Sequence, residues 1–360
     1  ELGTAEVSRA AAPIDHPTRD IFERDGELLG VGSGGYSAVW TLDPATGETT
    51  RTLLGEVGHP RGAGNVQSLQ ATGRTVYAGG SRVTGIHHVE EGEFDIVTAP
   101  GEPKVMRVVD GRLYQGIYGG AGIARYDPGD DEVEPVAWIG DDQNRPRGMH
   151  YHEPSGYLLV GTRPDYGFHG GAVATFDPET DELVSVDRNV VQDQSIQSVT
   201  SIGETVYLGT EITGGGGTDP IAESARIAAW DPVDREVRWE ATPFEGTGSI
   251  KGLTACEGIL YGQSWEEGFF GFDPETREVV VRREIKSGGS QQAHDGRVFG
   301  VNADQLFVYD PDDRQLEVLL DGLGGEEAWH NYPQLAIDGS DAVYVAEGKD
   351  LLQVELEGRE

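Results

Sequence analysis

Six side chains in this sequence carry the charges and proton affinities that β-elimination on an acidic sugar requires. Arg147, Arg163 and Arg226 are cations able to neutralise a carboxylate, and Tyr166, His169 and His150 are groups able to take or give a proton. In that chemistry a cation pairs the C5 carboxylate of a uronate and makes the neighbouring proton acidic. A base then removes the proton, and an acid protonates the departing oxygen. Residues of binding type accompany these six: Arg61, Tyr118, Gln194, Glu211, Lys251, Trp265, His330 and Tyr332. Trp265 precedes Glu266 and Glu267, an aromatic platform with flanking acids that suits a carbohydrate ring. Each arginine also has a plainer reading as the partner of a nearby acid, and each aromatic as a packing group.

Other chemistries are less well supplied. His150 and His152, two apart in an expected strand, point to one side, where Glu153 or His169 could join them around a metal. No zinc-type spacing is present, so no metal site is assigned. The sequence demands no cofactor, and calcium or another divalent ion is compatible with it. Asp165, Glu211 and Glu266 offer carboxylates for glycoside hydrolysis, a reaction that depends on a separation the sequence does not set. There is no serine elbow, Walker loop or dinucleotide fingerprint. Glycines 214–217 lack the Lys-Ser/Thr and helix of a phosphate loop. Cys256, the one cysteine, sits in the run Leu253-Thr254-Ala255-Cys256 and reads as a buried structural thiol, which excludes a disulfide framework.

The charge narrows the partners. With 27 Lys+Arg against 63 Asp+Glu the formal net charge is −36, a field that repels nucleic acid and anionic membranes. No apolar run approaches the length of a bilayer span. Only four lysines occur (Lys104, Lys251, Lys286 and Lys349), a composition that fits a salt-loving or high-GC source as readily as an ordinary acidic protein. The expected partner is an anionic polysaccharide or oligosaccharide. A chain starting at Glu1 without Met suggests a removed leader or tag, and the expected setting is a secreted or cell-surface monomer.

The elements that would position these residues come from a repeat. An aromatic or Leu followed by Asp-Pro recurs at Leu42-Asp43-Pro44, Tyr126-Asp127-Pro128, Phe176-Asp177-Pro178, Trp230-Asp231-Pro232, Phe272-Asp273-Pro274 and Tyr309-Asp310-Pro311. The aromatic ends a strand, Asp accepts backbone N–H bonds in the turn, and Pro presets φ for the next position. Upstream of each lies an apolar or tyrosine-bearing run ending in Gly, such as Val76-Tyr77-Ala78-Gly79, Leu158-Leu159-Val160-Gly161 and Val206-Tyr207-Leu208-Gly209. Eight copies in 360 residues give 45 per unit, the length of four short strands. The sequence therefore predicts one all-β domain over 1–360, a β-propeller of eight blades of four antiparallel strands, with seven blades as the alternative. The last unit supplies three strands, so Ala5-Glu6-Val7-Ser8 is expected to close it as a fourth. Long loops at 162–171 and 211–226 are expected on one face. Arg61, Arg145, Arg147, Arg163, Arg226 and Lys251 are expected in such loops or at their ends, a cationic cluster suited to a carboxylate or sulfate.

The stretch from Arg145 to Trp239 resembles bacterial propellers of the pyrroloquinoline-quinone-like and WD-repeat-like types. The matching pieces are Asp142-Gln143-Asn144-Arg145-Pro146, Gly161-Thr162-Arg163-Pro164-Asp165-Tyr166-Gly167 with Gly170-Gly171-Ala172, Arg188-Asn189-Val190-Val191-Gln192-Asp193-Gln194-Ser195, and Ala225-Arg226 leading to Trp230-Asp231. The resemblance implies the fold and an association with glycans. Quinoprotein dehydrogenases use a vicinal cysteine pair, and this chain has one cysteine. In architecture the chain also resembles the propeller polysaccharide lyases, which implies cleavage of a uronate-containing glycan by β-elimination. A non-catalytic glycan- or protein-binding propeller and a glycoside hydrolase are the alternatives.

Overall fold

Each repeat of the sequence folds into a small antiparallel sheet whose strands pair in chain order. The computed structural model describes residues 18–32, 38–57, 65–286, 288–323, 333–339, 342–348 and 350–356. The expected closing strand at Ala5 to Ser8 lies outside the described residues, as do Arg61, His330 and Tyr332.

Contacts divide the chain into two units, Glu1–Gly62 and Ala63–Glu360. The first holds one sheet: β1 (Thr18–Arg24), β2 (Glu27–Gly32), β3 (Ala38–Leu42) and β4 (Thr49–Leu53).

The second unit holds seven sheets. The first is β5 (Ser68–Thr72), β6 (Thr75–Gly79), β7 (Val83–His88) and β8 (Glu93–Thr98). The next is β9 (Glu102–Val109), β10 (Arg112–Tyr118), β11 (Gly122–Tyr126) and β12 (Glu134–Trp138). Then come β13 (Gln143–His152), β14 (Tyr157–Pro164), β15 (Ala172–Asp177) and β16 (Glu182–Arg188). They are followed by β17 (Ser195–Ile202), β18 (Thr205–Glu211), β19 (Ile227–Asp231) and β20 (Glu236–Ala241). β21 (Ile250–Cys256), β22 (Ile259–Ser264), β23 (Gly268–Asp273) and β24 (Glu278–Arg283) form the fifth sheet. The sixth is β25 (Gln291–His294), β26 (Arg297–Val301), β27 (Gln305–Asp310) and β28 (Gln315–Asp321). The last has three strands among the described residues, β29 (Gln334–Ile337), β30 (Ala342–Glu347) and β31 (Asp350–Glu355). Eight sheets in all match the eight repeats, and the architecture is a propeller-like all-β repeat.

Burial follows strand position. The second and third strands are almost continuously buried, as in β15 and β19, while fourth strands such as β20 alternate exposed and half-buried residues. The core of the second unit consists of seven apolar clusters, each lying between two sheets. Phe176 and Tyr114 pack together between the sheets of β9–β12 and β13–β16, and Trp230 with Leu159 between those of β13–β16 and β17–β20. The last cluster returns to the beginning: Ala336, Ala342 and Tyr344 of the final sheet pack on Leu69 and Val76 of β5 and β6. A backbone bond from Val66 N to Gly348 O, 3.1 Å, joins the same two sheets.

Both sequence signatures have a physical role. The Asp carboxylate accepts turn amides in five of the six Asp-Pro hairpins, while Asp127 pairs with Arg112 and Arg125. Asp273 Oδ1 takes Glu275 N at 2.8 Å, and Asp231 Oδ1 takes Val233 N at 2.9 Å. Arg238 and these amides hold the Asp231 carboxyl down to about 2. In four sheets the glycine late in the second strand (Gly79, Gly116, Gly161 and Gly209) lies against the neighbouring sheet, and in three (Gly30, Gly262 and Gly300) it makes room for an aromatic ring of its own sheet. A Cβ on Gly161 would lie 2.5 Å from Ile196 Cγ2, and one on Gly116 would lie 2.7 Å from Pro146 Cβ. Cys256 is buried and its thiol is pushed up to about 11 by desolvation, in keeping with a structural thiol.

Candidate functional site

The first strands of the seven sheets in the second unit all line one cavity of about 810 Å³. A strand facing such a cavity should alternate its side chains, but four of these strands are bulged at the same level. Opposite Gly116 and Ile117 the pairing skips Lys104, and opposite Thr162 and Gly161 it skips Arg147. Gln197 is skipped between Ile196 and Ser198, and Gly252 with Leu253 between Lys251 and Thr254. The extra residue is released from the ladder and re-aimed, which brings Lys104, Arg147 and Gln197 to the cavity wall.

Six cations line the cavity: Lys104, Arg107, Arg145, Arg147, Arg163 and Lys251. Among the described residues Glu211 is the one carboxylate in the lining. Arg145 lies over the ring of Tyr118, its guanidinium carbon 4.4 Å from the centroid. Lys104 Nζ is 2.8 Å from Glu102 Oε2, donates to Gln67 Oε1, and is lowered in pKa chiefly by burial. Arg163 Nε donates to Gly214 O at 2.6 Å. Lys251 Nζ stands 4.3 Å from the Trp265 centroid, and burial lowers it too. Arg147 has a buried Nε without a hydrogen-bond partner. Desolvation, against the pull of Glu211 and with the push of Arg145 and Arg163, brings its guanidinium down to about 10. Glu211 itself is fixed by Gln197 and Thr213.

His150 also lines the cavity, its Nε2 2.8 Å from Ser201 Oγ. Burial, then the charges of Arg107 and His152, push it down to about 3, so the imidazole is neutral at neutral pH. His152 bonds Ser155 Oγ at 2.8 Å and Gly203 O at 3.3 Å. Among the described residues no group of three or more His, Cys, Asp or Glu side chains is placed to hold a metal.

The structure thus gathers Arg147, Arg163, His150, Glu211, Lys251 and Trp265 around one space. Tyr118 joins through Arg145, and its hydroxyl is 3.1 Å from that of exposed Tyr166. The remaining candidates are elsewhere engaged. His169 Nε2 is 2.9 Å from Asp219 O, Arg226 is paired with Glu240, and fully buried Gln194 bridges Thr210 and Ser224 O at 3.1 Å. These three do not line the cavity. One further expectation needs correction. Arg145, Arg147 and Lys251, expected in loops or at their ends, lie within β13 and β21; Arg147 sits at a bulge, which lets a strand carry an inward charge, while Arg145 and Lys251 are paired near the starts of their strands. The loops at 162–171 and 211–226 pack on each other: a Cβ on Gly215 would collide with Asp165 O, and Gly215 N donates to Phe168 O at 2.8 Å. Sequence reasoning passed over Lys104, Arg107 and the lining glutamines. Their one signal is a charged or amide residue at the same place in successive first strands.

No family model matches the chain, and no curated protein matches it. Among solved structures the chain is similar to the computationally designed Ika8 protein, at 12% identity and a TM-score of 0.56, covering 95% of this chain and 97% of that one. At that identity the likeness concerns the fold alone.

Proposed function

We propose that the cavity is a receptor for an anionic ligand, and that the ligand is a uronate-containing glycan. One observation carries this reading: among the described residues, six cations and a single carboxylate line the cavity of a protein whose net charge is −36. Collecting like charges out of water is costly, and a ligand carboxylate or sulfate offsets that cost through charge-assisted bonds. Trp265 beside Lys251, and Tyr118 with Tyr166 beside Arg145, supply aromatic faces for sugar rings.

Cleavage by β-elimination is the second reading, and His150 favours it. On the same wall as Arg147 and Arg163, its imidazole is the one histidine of the lining among the described residues, but its pKa, depressed to about 3, and its bond to Ser201 Oγ make it a weak base, so β-elimination ranks below simple binding. Glycoside hydrolysis is less well supported. Asp165 accepts from Asn144 Nδ2 at 2.7 Å and Tyr166 N at 2.8 Å, Glu266 accepts from Thr247 Oγ1 at 2.6 Å, and neither lines the cavity beside Glu211. The cycle of seven packed interfaces supports seven as the number of blades in residues 63–360.

The test is titration of the protein with uronate oligosaccharides at low and high salt, followed by assays for unsaturated-uronate absorbance and for reducing ends. Salt-sensitive binding supports the receptor, and absorbance together with reducing ends supports the lyase. Reducing ends alone move the reading to a hydrolase. No binding to any acidic glycan overturns all three.

A further inference from the structure

The cavity wall is not uniform around its circumference. Its cations come from β9, β13, β14 and β21, neighbouring sheets of one arc. Among the described residues, the sheets that complete the circuit, begun by β25, β29 and β5, contribute no charged side chain to the lining. They contribute Gln67, Gln70, Gln291, Gln292 and Gln334, with Ser68 and Ser290. Most of these polar groups have structural bonds: Gln291 donates to Tyr261 O at 2.7 Å, and Gln292 accepts Ile337 N at 3.2 Å. Gln67 is different. It is 5% exposed, its Oε1 is taken by Lys104, and its Nε2 is buried with no partner. Because lysine only donates, the carbonyl oxygen must face Lys104 and the amide N–H₂ must be the free end. A buried donor left unpaired is costly, and here it sits where the cationic arc gives way to the amide arc.

Resting on the reading of the cavity as a uronate receptor, we infer that it is divided into two subsites, an acidic one on the cationic arc and a neutral, hydroxyl-bearing one on the glutamine arc. The ligand class is then a mixed oligosaccharide in which an acidic sugar is joined to an uncharged one, rather than a homopolymer charged at every unit. Sugar hydroxyls both donate and accept, so they suit the glutamine amides and serine hydroxyls that line this half. A second carboxylate in that half would be desolvated without a cation.

The experiment is calorimetric titration of the whole protein with three probes: an aldobiuronic acid (glucuronic acid joined to xylose), digalacturonic acid, and xylobiose. The aldobiuronic acid is expected to bind roughly tenfold more tightly than digalacturonic acid, and xylobiose weakly. The variants Gln70→Met and Gln334→Met each keep side-chain length and remove an amide of the glutamine arc that, among the described residues, bonds no cation of the lining. They should weaken the aldobiuronic acid roughly five- to tenfold and leave digalacturonic acid within about twofold. Two variants keep the result readable if one fails to fold. Equal or tighter binding of digalacturonic acid, or equal loss for both acidic probes in the variants, overturns the two-part wall while leaving the receptor in place. Absence of binding by both acidic probes overturns the receptor and this inference together.

Discussion

Lys104 and Arg147 hold the same position in successive repeats: each is the unpaired residue of a bulge in the first strand of its sheet, and each enters the cavity. The bulge takes the side chain out of the alternation that would otherwise send it toward a neighbouring sheet. Arg147→Met should therefore spare the fold, since no described ion pair is lost, and should weaken an acidic oligosaccharide by roughly 10- to 100-fold. Circular dichroism and calorimetry check both halves. Unchanged affinity in a folded variant would remove Arg147 from the site.

His150 sets a pH dependence. Its native pKa lies near 3, below the ordinary histidine value of 6.5, so the unfolded chain binds the extra proton first as pH falls. The stability tied to its neutral form is complete above pH 6.5 and is lost progressively below it. His150→Gln should reduce the fall in Tm between pH 7 and pH 5 by at least roughly 2 °C. An imidazole NMR resonance titrating near 6.5 in the folded protein would contradict the buried, neutral assignment.

Salt should act in opposite directions on folding and on binding. The net charge of −36 repels itself, and counter-ions relieve that repulsion, so Tm should rise from low to molar salt. The same ions compete with an acidic ligand for the cavity, so its affinity should fall. A thermal shift series with and without uronate oligosaccharide reads both. Parallel trends would mean that binding does not depend on the cationic wall.

Gly161 should tolerate no side chain. A methyl there meets Ile196 Cγ2 at 2.5 Å, inside the packing of two sheets, and Gly161→Ala should cost about 1–3 kcal/mol. Chemical denaturation measures it. Gly156, in a hairpin with open space at its Cβ but φ of 73°, offers a contrast in which any loss comes from the backbone alone.

The sequence made the sheets legible because most carry two local signals, an Asp-Pro hairpin in six of the eight and a glycine late in the second strand in seven, and both rest on short-range geometry. Asp273 and Gly161 behave as their neighbours in sequence imply. The site was only half legible. Arg147, Arg163 and Lys251 stood out as rare cations, but their location within or at the end of strands did not, because a bulge is a fault in periodicity rather than a motif. Gln67 gave no signal, since its importance lies in Lys104, 37 positions away, and in a free amide that only packing reveals. His169 and Arg226 looked equally suitable on paper, and they are committed to Asp219 O and Glu240. Periodicity likewise counts eight repeats without saying which are neighbours.

The repeated bulge separates what the protein recognises from what keeps it folded. A residue outside the ladder contributes no backbone pair to its sheet, so its side chain can change from Lys to Arg to Gln, as it does at 104, 147 and 197, while the pairing on either side stays intact. The cavity is in this sense a panel of interchangeable positions. New ligand preferences can arise there one substitution at a time, with little risk to the sheets that hold them.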